Sequence, residues 1–163
     1  MGYYHDFVQT VARSRFGGWL ILNVLTPLDR RLLRWTGGRF HSSIGTGFRR
    51  ASVLLRCTGA RSGEPREVPV FATRRGDHFI LVASATGRDR NPAWYHNLKA
   101  HPECSLVLGD EGELACVAHE AHGQERELAW QAAADLYPGY NDYQARTERA
   151  IPVMILVPTP PSR

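Results

Sequence analysis

From Ala51 onward the chain alternates short β-prone segments with tight turns, and this pattern limits the folds available to it. Six strands are predicted, over residues 52–58, 66–73, 78–84, 104–108, 114–121 and 151–157. Hairpin turns join several of them, as at Arg74–Asp77 and Gly109–Gly112. Because strands do not alternate regularly with helices, the pattern favours a small antiparallel barrel decorated by helices, a mainly β fold of the α+β class.

Helical patterns flank and interrupt these strands. They cover residues 3–36, a short segment from Pro92 to Ala100, residues 124–137 and a stretch ending at Arg149. In the third, Leu128, Ala132 and Leu136 recur at i, i+4 and i+8. With 163 residues, we expect one domain: a helical segment over 1–50, a barrel over 51–158 and a tail over 159–163.

Charge is distributed unevenly along the chain. Residues 1–100 carry 16 basic and 6 acidic side chains, whereas residues 101–163 carry 4 and 10, which gives the net charge of +4. All but one of the basic residues are arginines, and Lys99 is the exception. Since the guanidinium fork pairs well with phosphate and carboxylate, an anionic partner is one interpretation; arginine usage for solubility is the other.

The N-terminal segment and the cysteine content both indicate where in the cell the protein is located. Its longest apolar run, from Trp19 to Leu25, is far shorter than the roughly 20 residues of a membrane span. The basic amphipathic helix after Pro27 either covers the domain's own core or lies on an anionic membrane surface. Three scattered cysteines without a CxxC pair indicate a reducing compartment. We therefore expect a cytoplasmic protein, with peripheral membrane contact through residues 1–50 left open.

Two segments are suited to binding an anion. The turn from Thr58 to Arg66 combines two glycines and Ser62 with Arg61 and Arg66. The segment from Ala83 to Leu98 ends a strand in small residues, adds a basic loop with Arg88 and Arg90, and opens a helix at Asn91-Pro92. In that helix Trp94 either offers a flat surface to a ring system or packs in the core.

A third group consists of Tyr137, Tyr140 and Tyr143, spaced by three. Such tyrosines can line an aromatic pocket and donate hydrogen bonds at neutral pH, or they can simply cover the barrel.

Metal, hydrolase and nucleotide-hydrolysing sites are poorly supported by the sequence. The His119 and His122 pair lies at a strand end, where side chains three apart point to opposite faces, so no metal site is predicted. No GxSxG elbow or P-loop spacing is present.

Several short motifs follow one another in a specific order. They are Thr58-Gly59-x-Arg61-Ser62-Gly63-x-Pro65-Arg66, Val68-Pro69, Leu81-Val82-Ala83-Ser84 and Asn91-Pro92-Ala93-Trp94-Tyr95-His96-Asn97-Leu98, followed by the tyrosines and Ile151-Pro152-Val153. This succession resembles the deazaflavin-dependent nitroreductase family. The resemblance covers about residues 50–157. It implies a split β-barrel that binds coenzyme F-420, a 5-deazaflavin with a phosphate and a glutamyl tail.

By position, the resemblance also implies roles for individual residues. Arg61 and Arg66 would hold the phosphate and the tail, together with Ser62, Arg90 and Asn91. Pro69, Ser84, Trp94 and Asn97 would border the deazaflavin or its linker. Tyr137, Tyr140 and Tyr143 would face the substrate with Ser84, and Tyr140 would donate a proton or orient the acceptor. The turn near Arg61 and the Trp94 helix must then converge on one groove.

The resulting hypothesis is an oxidoreductase that transfers a hydride from the reduced cofactor to a quinone, a nitroaromatic compound or an enone. A flavin mononucleotide enzyme on the same barrel and a non-catalytic deazaflavin carrier are the alternatives. A nucleic-acid binder is weaker, because the arginines do not group on one helix face. The oligomeric state stays open, and a homodimer is one option.

Overall fold

The structure is a computed structural model that describes residues 52–160. Seven strands form one sheet: β1 (Ser52–Thr58), β2 (Pro65–Phe71), β3 (Thr73–Arg75), β4 (His78–Val82), β5 (Glu103–Val107), β6 (Glu113–Glu120) and β7 (Val153–Pro158). Three α-helices accompany them: α1 (Ala93–Ala100), α2 (Gly123–Leu136) and α3 (Gly139–Gln144). The predicted N-terminal helices, and the boundary expected near residue 50, lie outside the described residues.

Every neighbouring pair in the sheet is antiparallel, and the order is β2-β1-β5-β6-β7-β4-β3. The predicted strand over 66–73 is in fact two strands, because the chain changes partner at Ala72: β2 pairs with β1, whereas β3 pairs with β4. The two edge strands of the sheet are therefore separated by one residue. Since two peptide units span only about 7 Å, the sheet must curl until its edges meet.

Packing on the inner face gives independent evidence of the curl. Val70 on β2 and Phe79 on β4 belong to the same buried cluster, although five strand intervals, about 24 Å on a flat sheet, would separate them. Trp94 and Leu98 of α1 complete this cluster. The predicted antiparallel split barrel, of mainly β α+β class, is thus confirmed.

The helices α2 and α3 pack on the outer face of β4 and β7, where a second buried cluster forms around Ile80, Val153 and Ile155. Helix α2 contacts the sheet through its small residues, since Ala129 and Ala133 are buried in this cluster. The larger residues of the apolar stripe lie on the other side, and Leu128 and Leu136 are 49% and 44% exposed. Alanine permits the close approach of the helix to the sheet.

The three cysteines, widely separated in the sequence, are neighbours in the sheet. Register pairs Cys57 with Cys104, and Cys104 with Cys116, across β1, β5 and β6. All three are free thiols. Burial, aided by the neighbouring thiols, raises the pKa of Cys104 to about 12, so that it stays protonated at neutral pH.

Candidate functional site

A cavity of about 510 Å³ lies between the turn after β1 and the first turns of α1. Its size is typical of ligand-binding pockets. It is lined by Gly59, Ala60, Arg61, Ser62, Arg66, Ala93, His96 and Asn97. The two segments that the sequence predicts to converge therefore do meet at one groove.

The turn after β1 is tightly closed by its own backbone. The Gly59 N–H donates to the Glu64 carbonyl at 2.8 Å, and the Gly63 N–H donates to the Gly59 carbonyl at 2.9 Å. A Cβ atom on Gly59 would lie 2.6 Å from the Ser62 hydroxyl oxygen and 3.2 Å from the Glu64 carbonyl oxygen. Glycine is required at position 59 because these groups leave no room for a side chain.

Asn97 of α1 fastens the turn to the helix. Its Oδ1 accepts the Ala60 N–H at 3.0 Å, and its Nδ2 donates to the Cys57 Sγ at 3.6 Å. Asn97 thus lines the cavity and also fixes its shape. The buried thiol of Cys57 at the end of β1 has a raised pKa, because burial disfavours the thiolate.

The guanidinium groups of the cavity form no ion pair with an acidic side chain of residues 52–160. The Arg66 Nη2 donates to the Ser62 hydroxyl at 3.0 Å, and no carboxylate pairs with it in the described range. Arg61 is exposed and makes no hydrogen bond or ion pair with residues 52–160. Two guanidinium groups without a counterion make this cavity favourable for an anion.

His96 also lines this cavity, and sequence reasoning did not assign it to the site. It stands three residues after Ala93 and directly before Asn97, so all three share the face of α1 that borders the cavity. The helical spacing of these residues was the available signal. The imidazole adds a third group that can contact an anion.

Five predicted cofactor residues are not part of this lining, and two of them, Trp94 and Pro69, belong to the barrel itself. Trp94 is 8% exposed and packs in the inner cluster with Leu98. Pro69 lies in the middle of β2, opposite Leu54 of β1. Any contact of Trp94 and Pro69 with a cofactor stays a prediction.

Ser84, Arg90 and Asn91 belong to a second segment, the loop over residues 83–91 that joins β4 to α1. Its backbone is strained, because Ala85 and Thr86 have φ angles of 45° and 57°. A β-branched residue in the left-handed region costs on the order of 1–2 kcal/mol. Gly87 follows with φ of 78°, and a Cβ there would lie 2.8 Å from the Tyr143 carbonyl oxygen. Arg90 is exposed at the end of the loop.

Arg149, a residue that sequence reasoning did not place in the site, holds this loop. Its guanidinium group donates to the carbonyl oxygens of residues 83, 84 and 88 and to the Asn91 Oδ1, at distances from 2.6 to 3.2 Å. Burial lowers the pKa of Arg149 below its usual value. Nothing in the sequence around Arg149 signals this contact, since the acceptors lie about 60 residues away.

The predicted substrate tyrosines lie in the cluster on the outer face of the sheet. Tyr140 and Tyr143 are 5% and 4% exposed, and the Tyr137 and Tyr143 hydroxyls are 2.9 Å apart. Burial raises the pKa values of Tyr140 and Tyr143 above 10, so both stay protonated. The sheet separates this cluster from Trp94, while the close approach of Gly87 to Tyr143 connects it to the 83–91 loop.

The described residues offer little for a metal or a membrane span. Between residues 52 and 160, no three His, Cys, Asp or Glu side chains are placed to hold a metal ion. None of the helices in that range has the length and apolar character needed to cross a bilayer.

Comparison with known proteins identifies relatives. The sequence model of the F420H2-dependent quinone reductase family matches residues 29–158. An F420H2-dependent quinone reductase of Mycobacterium tuberculosis is 35% identical over 144 residues, which are 85% of this chain and 95% of the relative.

Solved structures agree with this match. A structure of an F420-H2 dependent reductase (FDR-A) is 42% identical with a TM-score of 0.61, and the match covers 66% of this chain and 94% of that one. A second structure, described as a domain-swapped dimer, is 41% identical with a TM-score of 0.62, covering 66% and 80% of the two chains. The chain therefore belongs to the F420H2-dependent quinone reductase family.

Proposed function

We propose that this protein is an oxidoreductase that uses reduced coenzyme F-420 to reduce a quinone-type acceptor. The observation that carries the proposal is the cavity between the turn after β1 and α1, where Arg61 and Arg66 form no ion pair with any acidic residue of the described part of the chain. Membership of the family agrees with it. Nitroaromatic compounds and enones are further acceptors of the same electron-poor class.

The cavity residues fit the anionic part of F-420. A phosphate and glutamyl carboxylates need cationic and N–H donors, and the cavity supplies two guanidinium groups and the Ser62 hydroxyl. We assign Arg61, Ser62 and Arg66 to the phosphate and tail. Arg90 and Asn91 would extend this contact along the second segment.

Residues near the 83–91 loop would orient the reacting groups. When bound, reduced F-420 supplies a hydride to the acceptor. Ser84 and Asn97, with Pro69 and Trp94, would border the deazaflavin or its linker. Tyr137 and Tyr143 would orient the acceptor with Ser84.

Reduction of a quinone to a quinol also consumes a proton, and Tyr140 is the proposed donor. Its raised pKa keeps the hydroxyl protonated at neutral pH. That hydroxyl makes no hydrogen bond to any residue in the range 52–160, so its proton is not committed to a described partner.

The decisive experiment is anaerobic stopped-flow mixing of the protein and reduced F-420 with a quinone, followed by deazaflavin absorbance. We expect oxidation of the cofactor only when protein and acceptor are both present. Tight binding without oxidation by quinones, nitro compounds or enones would instead indicate a carrier. A purified protein that carries flavin absorbance would indicate the flavin mononucleotide alternative.

A homodimer is proposed as the assembly. Support comes from the related structure described as a domain-swapped dimer. Light scattering coupled to size-exclusion chromatography would test it, since a monomeric mass at micromolar concentration contradicts the proposal.

We propose a cytoplasmic location with peripheral contact at the inner membrane face through residues 1–50. The basic amphipathic pattern after Pro27 supports this proposal. Co-sedimentation with anionic lipid vesicles tests it, and a full-length protein that stays in the supernatant at low salt would refute it.

A further inference from the structure

We infer that Arg149 is a positioning residue that holds the 83–91 loop in the conformation that F-420 binding requires. This inference rests on the proposed function. It concerns how the second anion-binding segment keeps its shape, and it assigns to Arg149 no contact with the cofactor or the acceptor.

The guanidinium group of Arg149 reaches four acceptors, which lie at both ends of the loop. The Arg149 Nε donates to the Arg88 carbonyl at 2.7 Å, and Nη1 donates to the Asn91 Oδ1 at 2.6 Å. The Nη2 atom donates to the carbonyls of Ala83 and Ser84, at 3.2 and 2.9 Å. One planar group thus ties both ends of the loop together. A lysine ammonium cannot reproduce this set, because it is a single point of charge without a fork.

The backbone of Arg149 is itself held in place by Gln144. The Gln144 Nε2 donates to the Arg149 carbonyl at 2.8 Å, and the Gln144 Oε1 accepts the Ile151 N–H at 2.9 Å. Gln144 ends α3, and Ile151 is fully buried beneath it. The guanidinium group therefore extends from an anchored backbone and transmits that rigidity to the loop.

The loop has few backbone hydrogen bonds of its own to hold its strained conformation. Ala85 and Thr86 hold left-handed φ angles. Within the loop, the Gly87 N–H donates to the Ser84 carbonyl at 2.9 Å and the Arg88 N–H donates to the Ala85 carbonyl at 3.3 Å. Such a backbone persists only when its surroundings hold it in place. Arg149 binds the Ser84 carbonyl before the strained residues and the Arg88 carbonyl after them, so its hydrogen bonds flank Ala85 and Thr86 on both sides.

The test compares Arg149→Lys with wild-type full-length protein. We measure the Kd for F-420 by fluorescence titration, the thermal midpoint, and hydrogen exchange at the amides of Gly87 and Arg88. For Arg149→Lys we expect Kd to rise about tenfold or more, the factor for one lost charge-assisted hydrogen bond. Exchange at the two loop amides should accelerate, while exchange at Gly59 and Gly63 should not change.

Arg75→Lys is the matched control, since the Arg75 Nη1 also donates to a backbone carbonyl, that of Leu128, at 3.2 Å. It lies on β3, away from the cavity lining. We expect it to lower the thermal midpoint without changing Kd. Gln144→Ala removes the side chain that holds the Arg149 backbone, and it should raise the Kd for F-420 by a smaller factor than Arg149→Lys does. This variant still tests the role of Arg149 if Arg149→Lys does not fold.

Failure of the proposed function and failure of the role of Arg149 give different results in this experiment. Wild-type protein that fails to bind F-420 overturns the proposed function. Wild-type protein that binds it, with folded Arg149→Lys showing an unchanged Kd, overturns the role of Arg149 alone, whatever happens to the thermal midpoint. A raised Kd with unchanged exchange at Gly87 and Arg88 also overturns it, because the loop would then not be the intermediary.

Discussion

The two segments assigned to the cofactor are built in opposite ways. The turn over residues 59–66 closes with backbone hydrogen bonds and leaves Arg61 and Arg66 available to a ligand. The loop over residues 83–91 adopts left-handed conformations and depends on distant partners, namely Arg149, Thr147 and Tyr143.

Because of this difference, substitutions in the two segments should act on different quantities: the affinity for F-420 in the turn and the stability of the protein in the loop. Because the cationic side chains of the turn carry little of the fold, changing them should affect ligand binding almost alone. The loop conformation is held by contacts with α3 and the segment that follows it. Substitutions in the loop should therefore lower the stability of the protein first, and weaken F-420 binding as a consequence. Variants of the turn and of the loop, each with a control, test this separation.

The largest effect is expected for the double variant Arg61→Ala/Arg66→Ala. Each guanidinium group should lose a charge-assisted contact with the cofactor's phosphate or tail, worth about 1.5–3 kcal/mol. We expect the Kd for F-420 to rise by a hundredfold or more, measured by fluorescence titration, with little change in the thermal midpoint.

Arg74→Ala/Arg75→Ala is the control, because it removes the same charge from β3 outside the cavity lining. Its Kd should stay within a few-fold of wild type at physiological salt, where long-range charge effects are screened. An equal loss in both variants would mean that net charge, and not the turn, attracts the cofactor.

The next effect is expected for Gly87→Ala in the loop. A Cβ at this position would lie 2.8 Å from the Tyr143 carbonyl oxygen and 3.1 Å from the Arg146 Cβ, with φ of 78°. We expect a loss of about 2–4 kcal/mol in the free energy of unfolding, measured in urea.

Gly63→Ala in the turn is the matched comparison. Gly63 has a similar φ of 68° but nothing within 4 Å of the added atom. It should lose only about 1–2 kcal/mol, the cost of the left-handed conformation itself. If the two variants lose equal stability, the close packing of the loop on α3 contributes nothing.

Much of the fold could be predicted from local patterns. The strand over 52–58 is observed with the same bounds, because apolar residues and flanking turns define it locally. The break at Ala72 could not be predicted, since it depends on closure of the barrel between β2 and β3. The burial of α2 through alanines also escaped prediction, because side-chain size alone favours Leu128 and Leu136 as the packing face.

The candidate site also contains residues that the sequence predicts and residues that it does not predict. Arg61, Ser62 and Arg66 lie within one turn, so sequence proximity was enough to group them. Arg149 satisfies acceptors on a loop about 60 residues earlier in the chain, and such contacts arise only from tertiary packing. The tyrosines were grouped correctly by their spacing, but spacing does not tell which face of the sheet they cover.

Two tyrosine variants test whether one tyrosine of the outer cluster stabilises the fold while another donates the proton. Tyr143→Phe removes the hydroxyl pair with Tyr137, 2.9 Å long, and should cost about 1 kcal/mol of stability. Tyr140→Phe should leave stability unchanged, because its hydroxyl makes no hydrogen bond within residues 52–160. If Tyr140 is the proton donor, its variant should lower kcat for quinone reduction. The reverse pattern would assign the chemistry to Tyr143.

The smallest effect is expected for Thr86→Asn. Threonine at φ of 57° is disfavoured by its branched Cβ, whereas asparagine tolerates the left-handed region. The substitution also removes the contact between the Thr86 hydroxyl and the Ala85 carbonyl, 2.7 Å long, which offsets part of the gain. We therefore expect a rise of only about 0.5 kcal/mol in the free energy of unfolding, with the Kd for F-420 unchanged because the loop keeps its shape. A loss of stability would show that the threonine side chain supports the loop, and the contrast with the self-contained turn would then weaken.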